Sequence, residues 1–327
     1  MSEIRQYRSS GRIDRPAGAA AAALKARAAA WEVPLVEADE RLSLFVWGCE
    51  LRLSRDGSGL AVDLSAPEDR LIGTLRDSAT ELFAEVGLEV VWDRVDVGAL
   101  APGLSLLRVV AVTRPVPGYL RVRLAGPEAA RFATGGLHVR LLLPSVPGRA
   151  PVWPRVAASG RTVWPAGPDA LHRPVYTVAV QGADWLDIDI YRHDDSPTCR
   201  WAETVAPGTE VGLMGPGGGG CPEGARLWLF GDGTALPAIG RMLAVAPVPV
   251  RAWVSCAAED MGALALDPRV TRCDDLLAAL DGAGALAPED HVWFAASGTE
   301  ARAARKALTA RGHARAHFTA AAYWDRG

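Results

Sequence analysis

From Arg226 to Val245 the chain reads RLWLFGDGTALPAIGRMLAV. An apolar run of strand length passes through a Gly-Asp-Gly turn into a helix. Thr234 can cap the first backbone N–H groups, and Pro237 suits an opening helical turn because it has no N–H to leave unsatisfied. A strand feeding straight into a helix needs a parallel neighbour to receive the returning chain, so this stretch restricts the fold to strand–helix layers. The stretches that follow agree. VRAWVSC and HVWFAAS read as further strands, and DDLLAALDGA and TEARAARKALTARG as helices. Strands alternating with helices indicate a doubly wound α/β nucleotide-binding domain over residues 224–327.

Upstream the period changes. Between Leu104 and Gly220 the segments LSLLRVVAVTRP, GYLRVRLAG, HVRLLLP, RPVYTVAVQG, WLDIDIYRH and TEVGLMGP are short and separated by Gly and Pro turns. This pattern predicts an antiparallel β-barrel over residues 105–220. A long Pro-rich loop, SVPGRAPVWPRVAASGRTVWPAGPDALH, interrupts it, and loops of that length often carry function. The run Gly217–Gly220 lacks the Lys-Ser/Thr ending of a phosphate-binding loop and is flanked by Pro216 and Pro222, so it reads as a hinge. Residues 1–100 form a third unit, a small α+β domain. Its helices are expected over Ala19–Trp31 and within APEDRLIGTLRDSATELFAEVG, with strands in LSLFVWGCELRLS, GLAVDLSA and LEVVWDRV.

Composition removes several function classes. The net charge of −3 provides no basic field for nucleic acid. No stretch approaches the roughly 18 apolar residues of a membrane span, and the charged start lacks signal-peptide order, so a cytoplasmic chain is expected. The five cysteines, Cys49, Cys199, Cys221, Cys256 and Cys273, include no CxxC pair, which points to neither a disulfide framework nor a metal site. A small-molecule substrate is the expected partner. Nothing in the composition indicates an oligomeric state.

The segments RPVYTVA, HDDSPTCRWAETVAPGTEVGLMGPGG, FGDGTALPAIGRML and the terminal YWDRG follow one another in the order seen in siderophore-interacting proteins. From about residue 105 to its end the chain resembles that family, and the segment before it resembles a small bacterial domain of unknown function fused ahead of the family. The resemblance implies a flavin-binding barrel, a nicotinamide-binding α/β domain, the cofactors FAD and NAD(P)H, and reduction of a ferric siderophore. Such an enzyme would be an FAD-dependent oxidoreductase. Hard anionic oxygen ligands favour Fe(III) over Fe(II), so reduction loosens the metal without destroying its chelator.

By motif match Tyr176 would lie against the isoalloxazine ring, Thr177 would bond its polar edge, and Trp324 beside Tyr323 would approach flavin or nicotinamide. These three are the implied catalytic residues. The implied cofactor-binding set adds Arg173, Val178, His193, Ser196, Pro197, Thr198, Trp201 and Ala202 for FAD. For the nucleotide it adds Gly231, Asp232, Thr234, Ala235, Ala296 and Ser297.

The chain departs from the family at several of these places. Pro174 takes the first arginine position of the flavin strand, with Arg173 shifted by one residue, and Ala179 takes the second. A one-residue shift within a strand turns a side chain to the opposite face. Ser196 replaces a glycine, Asp194 and Asp195 add negative charge, and Gly233 replaces a glutamate. Ala296-Ser297-Gly298 replaces Ala-Gly-Glu and so removes a carboxylate. These changes leave two further readings open. One is a relative that has lost its redox cofactors and acts as a non-redox enzyme in specialised metabolism, for example a cyclase. The other is a non-catalytic binding protein.

Overall fold

The computed structural model describes residues 5–14, 18–193, 196–284 and 286–325. The chain divides into two compact units, one formed by residues 1–104 and 144–171 and the other by residues 105–143 and 172–327.

The first unit is a six-stranded antiparallel sheet backed by two helices. Its elements are β1 (Tyr7–Ile13), α1 (Gly18–Trp31), β2 (Leu35–Ala38), β3 (Arg41–Val46), β4 (Cys49–Asp56), β5 (Gly59–Ala66), α2 (Asp69–Glu85) and β6 (Val91–Trp92), in sheet order β2-β3-β4-β5-β1-β6. Ala20, Leu24 and Ala28 recur every four residues on α1 and are buried, as one helical face must be. They join Leu44, Leu51, Val62, Leu64 and Phe83 in a single core. The stretch LSLFVWGCELRLS is a hairpin and not one strand. It turns at Trp47 and Gly48, both at positive φ (52° and 73°), the geometry of a two-residue turn whose twist matches that of the strands.

The second unit opens with β7 (Leu104–Thr113), β8 (Tyr119–Ala125) and β9 (His138–Pro144). The chain then leaves the barrel. The Pro-rich segment that follows carries the short hairpin β10 (Arg155–Val156) and β11 (Thr162–Val163), and it belongs to the first unit. Its backbone is tied down there: Val156 N–H donates to Ala99 O at 2.9 Å, Ala101 N–H to Pro154 O at 2.9 Å, and Thr162 N–H to the Asp77 carboxylate at 2.7 Å. These bonds give the long loop a structural part within that unit.

The barrel resumes with β12 (Leu171–His172), β13 (Val175–Gln181), β14 (Trp185–Tyr191), the helix α3 (Pro197–Thr204) and β15 (Glu210–Gly217). The order β9-β13-β14-β8-β7-β15 closes because β15 also pairs with β9. Val122, Leu124, Val139, Leu141, Val178, Ile188 and Leu213 fill the interior. The glycine run is not a slack hinge. Gly217 pairs with His138, and Leu137 N–H donates to Gly219 O at 2.9 Å. A Cβ on Gly136 would stand 2.5 Å from Gly217 O, so two backbones meet here with no room for side chains.

The last part is the doubly wound domain that the strand–turn–helix stretch requires. It runs through β16 (Leu227–Asp232), α4 (Leu236–Val245), β17 (Val250–Ser255), β18 (Val270–Arg272), α5 (Leu276–Gly282), β19 (His291–Ser297), α6 (Gly298–Ala310) and β20 (Phe318–Trp324). All neighbouring strands are parallel, in the order β18-β17-β16-β19-β20. The chain reverses direction across the sheet between β16 and β19, and such switch points are where open α/β sheets bind ligands.

Candidate functional site

Strand β13 presents Tyr176 and Thr177 to opposite sides, as successive strand residues must be. Tyr176 pairs with Val139, which lines the barrel interior, and its half-buried ring packs against that core. Burial pushes its hydroxyl up to about 12, while a hydrogen bond with the Thr198 side chain acts in the opposite direction. His172 Nε2 lies 2.9 Å from the same Thr198 hydroxyl. Thr198 sits in the first turn of α3, a turn closed by the Ser196 hydroxyl accepting from Cys199 N–H at 3.2 Å, with Pro197 opening the helix. The serine that replaces the family's glycine is therefore spent as a helix cap.

Arg173 is exposed and precedes β13, between the end of β12 at His172 and Val175. Strand alternation consequently does not fix its direction, and the one-residue shift does not condemn it. Its carbonyl accepts from Arg140 Nη1 at 3.1 Å. His193 and Arg200 are also exposed, whereas Asp194 and Asp195 lie outside the described residues. Val178 and Ala202 are buried in the barrel core, so any contact these two make with a ligand is through backbone or shape, while Trp201 is half-buried and packs against that core.

Thr177 faces the other way. It is buried and pairs directly with His138. His138 Nε2 lies 2.6 Å from the Tyr323 hydroxyl, edge to face with its ring. Burial, reinforced by the nearby Arg241 guanidinium, holds His138 below its ordinary pKa, which keeps the imidazole neutral. Beside Tyr323, Trp324 Nε1 donates to Asp232 Oδ2 at 2.6 Å. Asp232 Oδ1 accepts from Thr234 N–H at 2.9 Å and from the Thr234 hydroxyl at 2.5 Å. Burial raises the Asp232 pKa even against these bonds. The closing strand β20 thus ties the barrel pair His138–Thr177 to the turn that follows β16.

The turn itself is tightly built. A Cβ on Gly231 would stand 2.6 Å from Ala235 Cβ, so α4 begins directly on the strand end. Gly233 lies under Tyr191, whose Cε2 would be 2.6 Å from an added Cβ, and the buried Tyr119 hydroxyl donates to Gly233 O. Tyr191 fills the direction in which the family's glutamate would extend. At the end of β19 Ala296 is buried, and Ser297 caps α6: its hydroxyl donates to Glu300 Oε2 at 2.6 Å and accepts from Glu300 N–H at 3.3 Å. The motif's carboxylate position is Gly298, and the nearest following carboxylate, Glu300, is bonded to the Ser297 cap.

The site residues expected from the sequence form two groups. Tyr176, Ser196, Pro197 and Thr198 meet on the α3 side, and Thr177, Trp324, Asp232 and Thr234 on the β20 side. His138, His172, Tyr119 and Tyr191 were not among those expected. Each is placed by strand pairing or by contact between distant segments, and local spacing carries no signal of either.

Both cofactor types suit what is present. A flavin dinucleotide needs an aromatic plane, donors for the ring edge, and cations or helix N–H groups for its diphosphate. Tyr176, Thr177, Arg173, Arg200 and the first turn of α3 have that chemistry. A nicotinamide dinucleotide needs a close strand–helix turn at the switch point, which Gly231 provides. Among the described residues no group of three His, Cys, Asp or Glu is placed to hold a metal, and no helix is long and apolar enough to cross a membrane.

The family model described as siderophore-interacting FAD-binding domain matches residues 108–220, and the one described as siderophore-interacting protein matches residues 224–327. The chain belongs to the siderophore-interacting protein family. Its barrel is the family's FAD-binding domain. The ferric vibriobactin reductase ViuB of Vibrio cholerae is 30% identical over 152 residues, covering 43% of this chain and 54% of that protein. The chain therefore spans about half the length of the curated relatives it matches. A siderophore utilization protein from T. fusca is 30% identical with a TM-score of 0.59, over 70% of this chain and 96% of that one. The siderophore-interacting protein SipS from Aeromonas hydrophila is 26% identical with a TM-score of 0.55, over 68% and 92%. These findings give no support to the non-redox enzyme or the binding-only protein.

Proposed function

We propose that this protein is a flavin-dependent reductase of ferric siderophores, holding FAD on the barrel and receiving electrons from NAD(P)H at the α/β domain. One observation carries the reading. Strand β20 brings Tyr323 to the His138–Thr177 pair of the barrel and Trp324 to the Asp232–Thr234 turn, so the expected flavin strand and the nucleotide turn share one wall.

Bound FAD supplies the chemistry that turns a two-electron hydride donor into a source of single electrons for ferric ion. The chain's own residues bind and orient. The Tyr176 ring offers a flat surface already held by its hydroxyl bond to Thr198. Thr177, on the opposite face of β13, keeps that strand against His138 and the wall of β20, and Arg173, Arg200 and the first turn of α3 offer positive potential to the diphosphate. His138, bonded to Tyr323, holds the closing strand against the barrel. The substrate is a siderophore-like small molecule whose iron is freed once reduced.

An absorption spectrum of the purified protein before and after added FAD, followed by NADPH- or NADH-driven release of Fe(II) from ferric siderophores into a ferrous chelator, tests the reading. Flavin uptake with Fe(II) release supports it. A protein that takes up no FAD and releases no Fe(II) rules it out. Tyr176→Ala should weaken FAD binding about tenfold, since a stacked ring contributes roughly 0.5–1.5 kcal/mol beyond its buried area.

A further inference from the structure

We propose that FAD binding takes up a proton, that His172 is the residue that holds it, and that flavin affinity therefore rises as pH falls. The inference rests on the reading of the barrel as a working flavin site and adds a control to it.

Side chains from three elements form one hydrogen-bonded chain. His172 ends β12, and its Nε2 lies 2.9 Å from the Thr198 hydroxyl in the first turn of α3. Thr198, only 1% exposed, is also bonded to the Tyr176 hydroxyl of β13. Its single hydroxyl hydrogen serves one of these two partners at a time. A neutral imidazole that accepts at Nε2 takes that hydrogen, and the Tyr176 O–H then donates to Thr198. A protonated imidazole has donors only, so Nε2 donates to Thr198, the Thr198 hydrogen turns to the Tyr176 oxygen, and the phenolic hydrogen is released. One proton reverses the whole chain.

A flavin diphosphate brings only acceptors and negative charge. Toward such a ligand the protonated chain offers a released O–H and a full positive charge beside the first turn of α3, whose N–H groups already carry partial positive charge. The neutral chain that accepts at Nε2 offers neither. FAD therefore binds the protonated protein more tightly, and by linkage it stabilises the proton that favours it.

The surroundings of His172 suit this part. Burial alone holds its pKa below the ordinary 6.5, so the free protein is largely unprotonated there at pH 7.5 and has a proton to gain. The ionisable groups on the elements around it are Arg173 next in the chain, Arg140 of β9 and Arg200 of α3, all exposed, and the Cys199 thiol, which is bonded to Tyr191 O. Asp194 and Asp195 lie outside the described residues. The other two barrel imidazoles differ. His138 is bonded to Tyr323 on the opposite side of β13, and the Arg241 guanidinium opposes a proton there. His193 is exposed, so its proton is shared with water rather than with the Thr198–Tyr176 pair.

Fluorescence titration of the full chain between pH 7.5 and 6, with FAD and with riboflavin, which has the ring without the diphosphate, tests this without any redox step. FAD affinity of the wild type should rise about fivefold over that range, within the tenfold per pH unit that one proton allows, and riboflavin affinity should stay level. His172→Gln, whose amide still reaches Thr198 but does not titrate, should hold the FAD profile flat near its pH 7.5 value. His193→Gln should keep the wild-type slope. A level FAD profile in the wild type, an equal slope for riboflavin, a slope that survives in His172→Gln, or one that vanishes in His193→Gln would overturn the proposal. A level profile with FAD still bound strikes this inference alone, whereas failure to take up FAD at every pH ends the flavin reading with it. Proton-linked FAD uptake without Fe(II) release would count against the reductase reading alone.

Discussion

At the nucleotide turn, Gly233 stands where the family carries glutamate, and the half-buried ring of Tyr191, packed on the buried Tyr119, fills the space. On the flavin strand, Ala179 stands where the family carries arginine, and the cations on or beside the strand, Arg140, Arg173 and Arg200, are all exposed. The first replacement works through shape: Tyr191 is packed edge-on against Tyr119 at 5.4 Å, and the Tyr119 hydroxyl holds the turn's carbonyl. The second works through a field that water and salt weaken. A closely packed replacement fixes the residue at its position, because the old side chain no longer fits. An exposed one leaves the position free to vary and makes binding depend on the medium.

Restoring the family residue gives the largest expected effect. Gly233→Glu places its Cβ 2.6 Å from Tyr191 Cε2 and should destabilise the protein by about 2–3 kcal/mol, read as a lower melting temperature. Combining it with Tyr191→Ala should recover part of the loss, since the two changes act on one space. If Gly233→Glu alone leaves the melting temperature unchanged, the turn is not locked by shape.

How much of this was legible follows from the range of the physics involved. The α/β domain could be read because strand, turn and helix are contiguous, and the turn residues Gly231, Thr234 and Pro237 act on their own neighbours. The barrel could be read from short alternating strands. Tyr191 over Gly233 could not, since one lies on β14 and the other in the turn after β16, and only tertiary packing joins them. The same holds for His138, which is brought to Tyr323 by the pairing of β9 with β13 and by the return of β20. The structural part of the Pro-rich loop was not legible either: its length suggests function, while the bonds of Ala99, Ala101 and Asp77 that tie it to the first unit come from distant segments. Trp47–Gly48 was missed as a turn because a tryptophan at positive φ is rare, and only Gly48 hinted at the reversal.

Acid should affect both regions together. Burial holds His138, His172 and His291 below their ordinary value of 6.5, with Arg241 adding to the effect at His138 and His317 and His313 adding to it at His291. A lowered folded-state pKa means that the unfolded chain takes up protons first as pH falls. The stability these histidines confer is complete above about pH 6.5 and is lost as pH drops below it. Thermal melts from pH 7.5 to 5 should therefore show a falling melting temperature, with a shallower fall in His138→Gln. A flat profile would mean that these imidazoles are solvated in the native state.

Salt should separate the two regions. Raising ionic strength from 0.05 to 0.5 M shortens the screening length several-fold. FAD affinity, measured by fluorescence titration, should drop by about fivefold if exposed Arg173 and Arg200 supply the attraction to the diphosphate. The melting temperature of Gly233→Glu relative to wild type should barely change over the same range. A salt-independent FAD affinity would mean that the barrel, like the turn, relies on buried contacts.

The smallest effect concerns the second compensation in the α/β domain, the Ser297–Glu300 pair. Ser297→Ala removes the hydroxyl that accepts from Glu300 N–H and donates to the Glu300 carboxylate, leaving an N–H of the first turn of α6 without its partner. Loss of such a cap costs about 1 kcal/mol. Glu300→Gln should cost less, because the amide oxygen still accepts from the serine hydroxyl while the negative charge at the helix N-terminus is lost. If the capping box is the whole role of this carboxylate, both variants should lower the melting temperature and leave the affinity for NADP+ unchanged in titration. If instead Glu300 stands in for the family's Ala-Gly-Glu carboxylate toward the nicotinamide, Glu300→Gln should weaken NADP+ more than it lowers the melting temperature. Ser297→Ala would then lower stability the more. The ratio of the two effects in the two variants thus separates a residue that holds a helix from one that has also replaced a lost ligand contact.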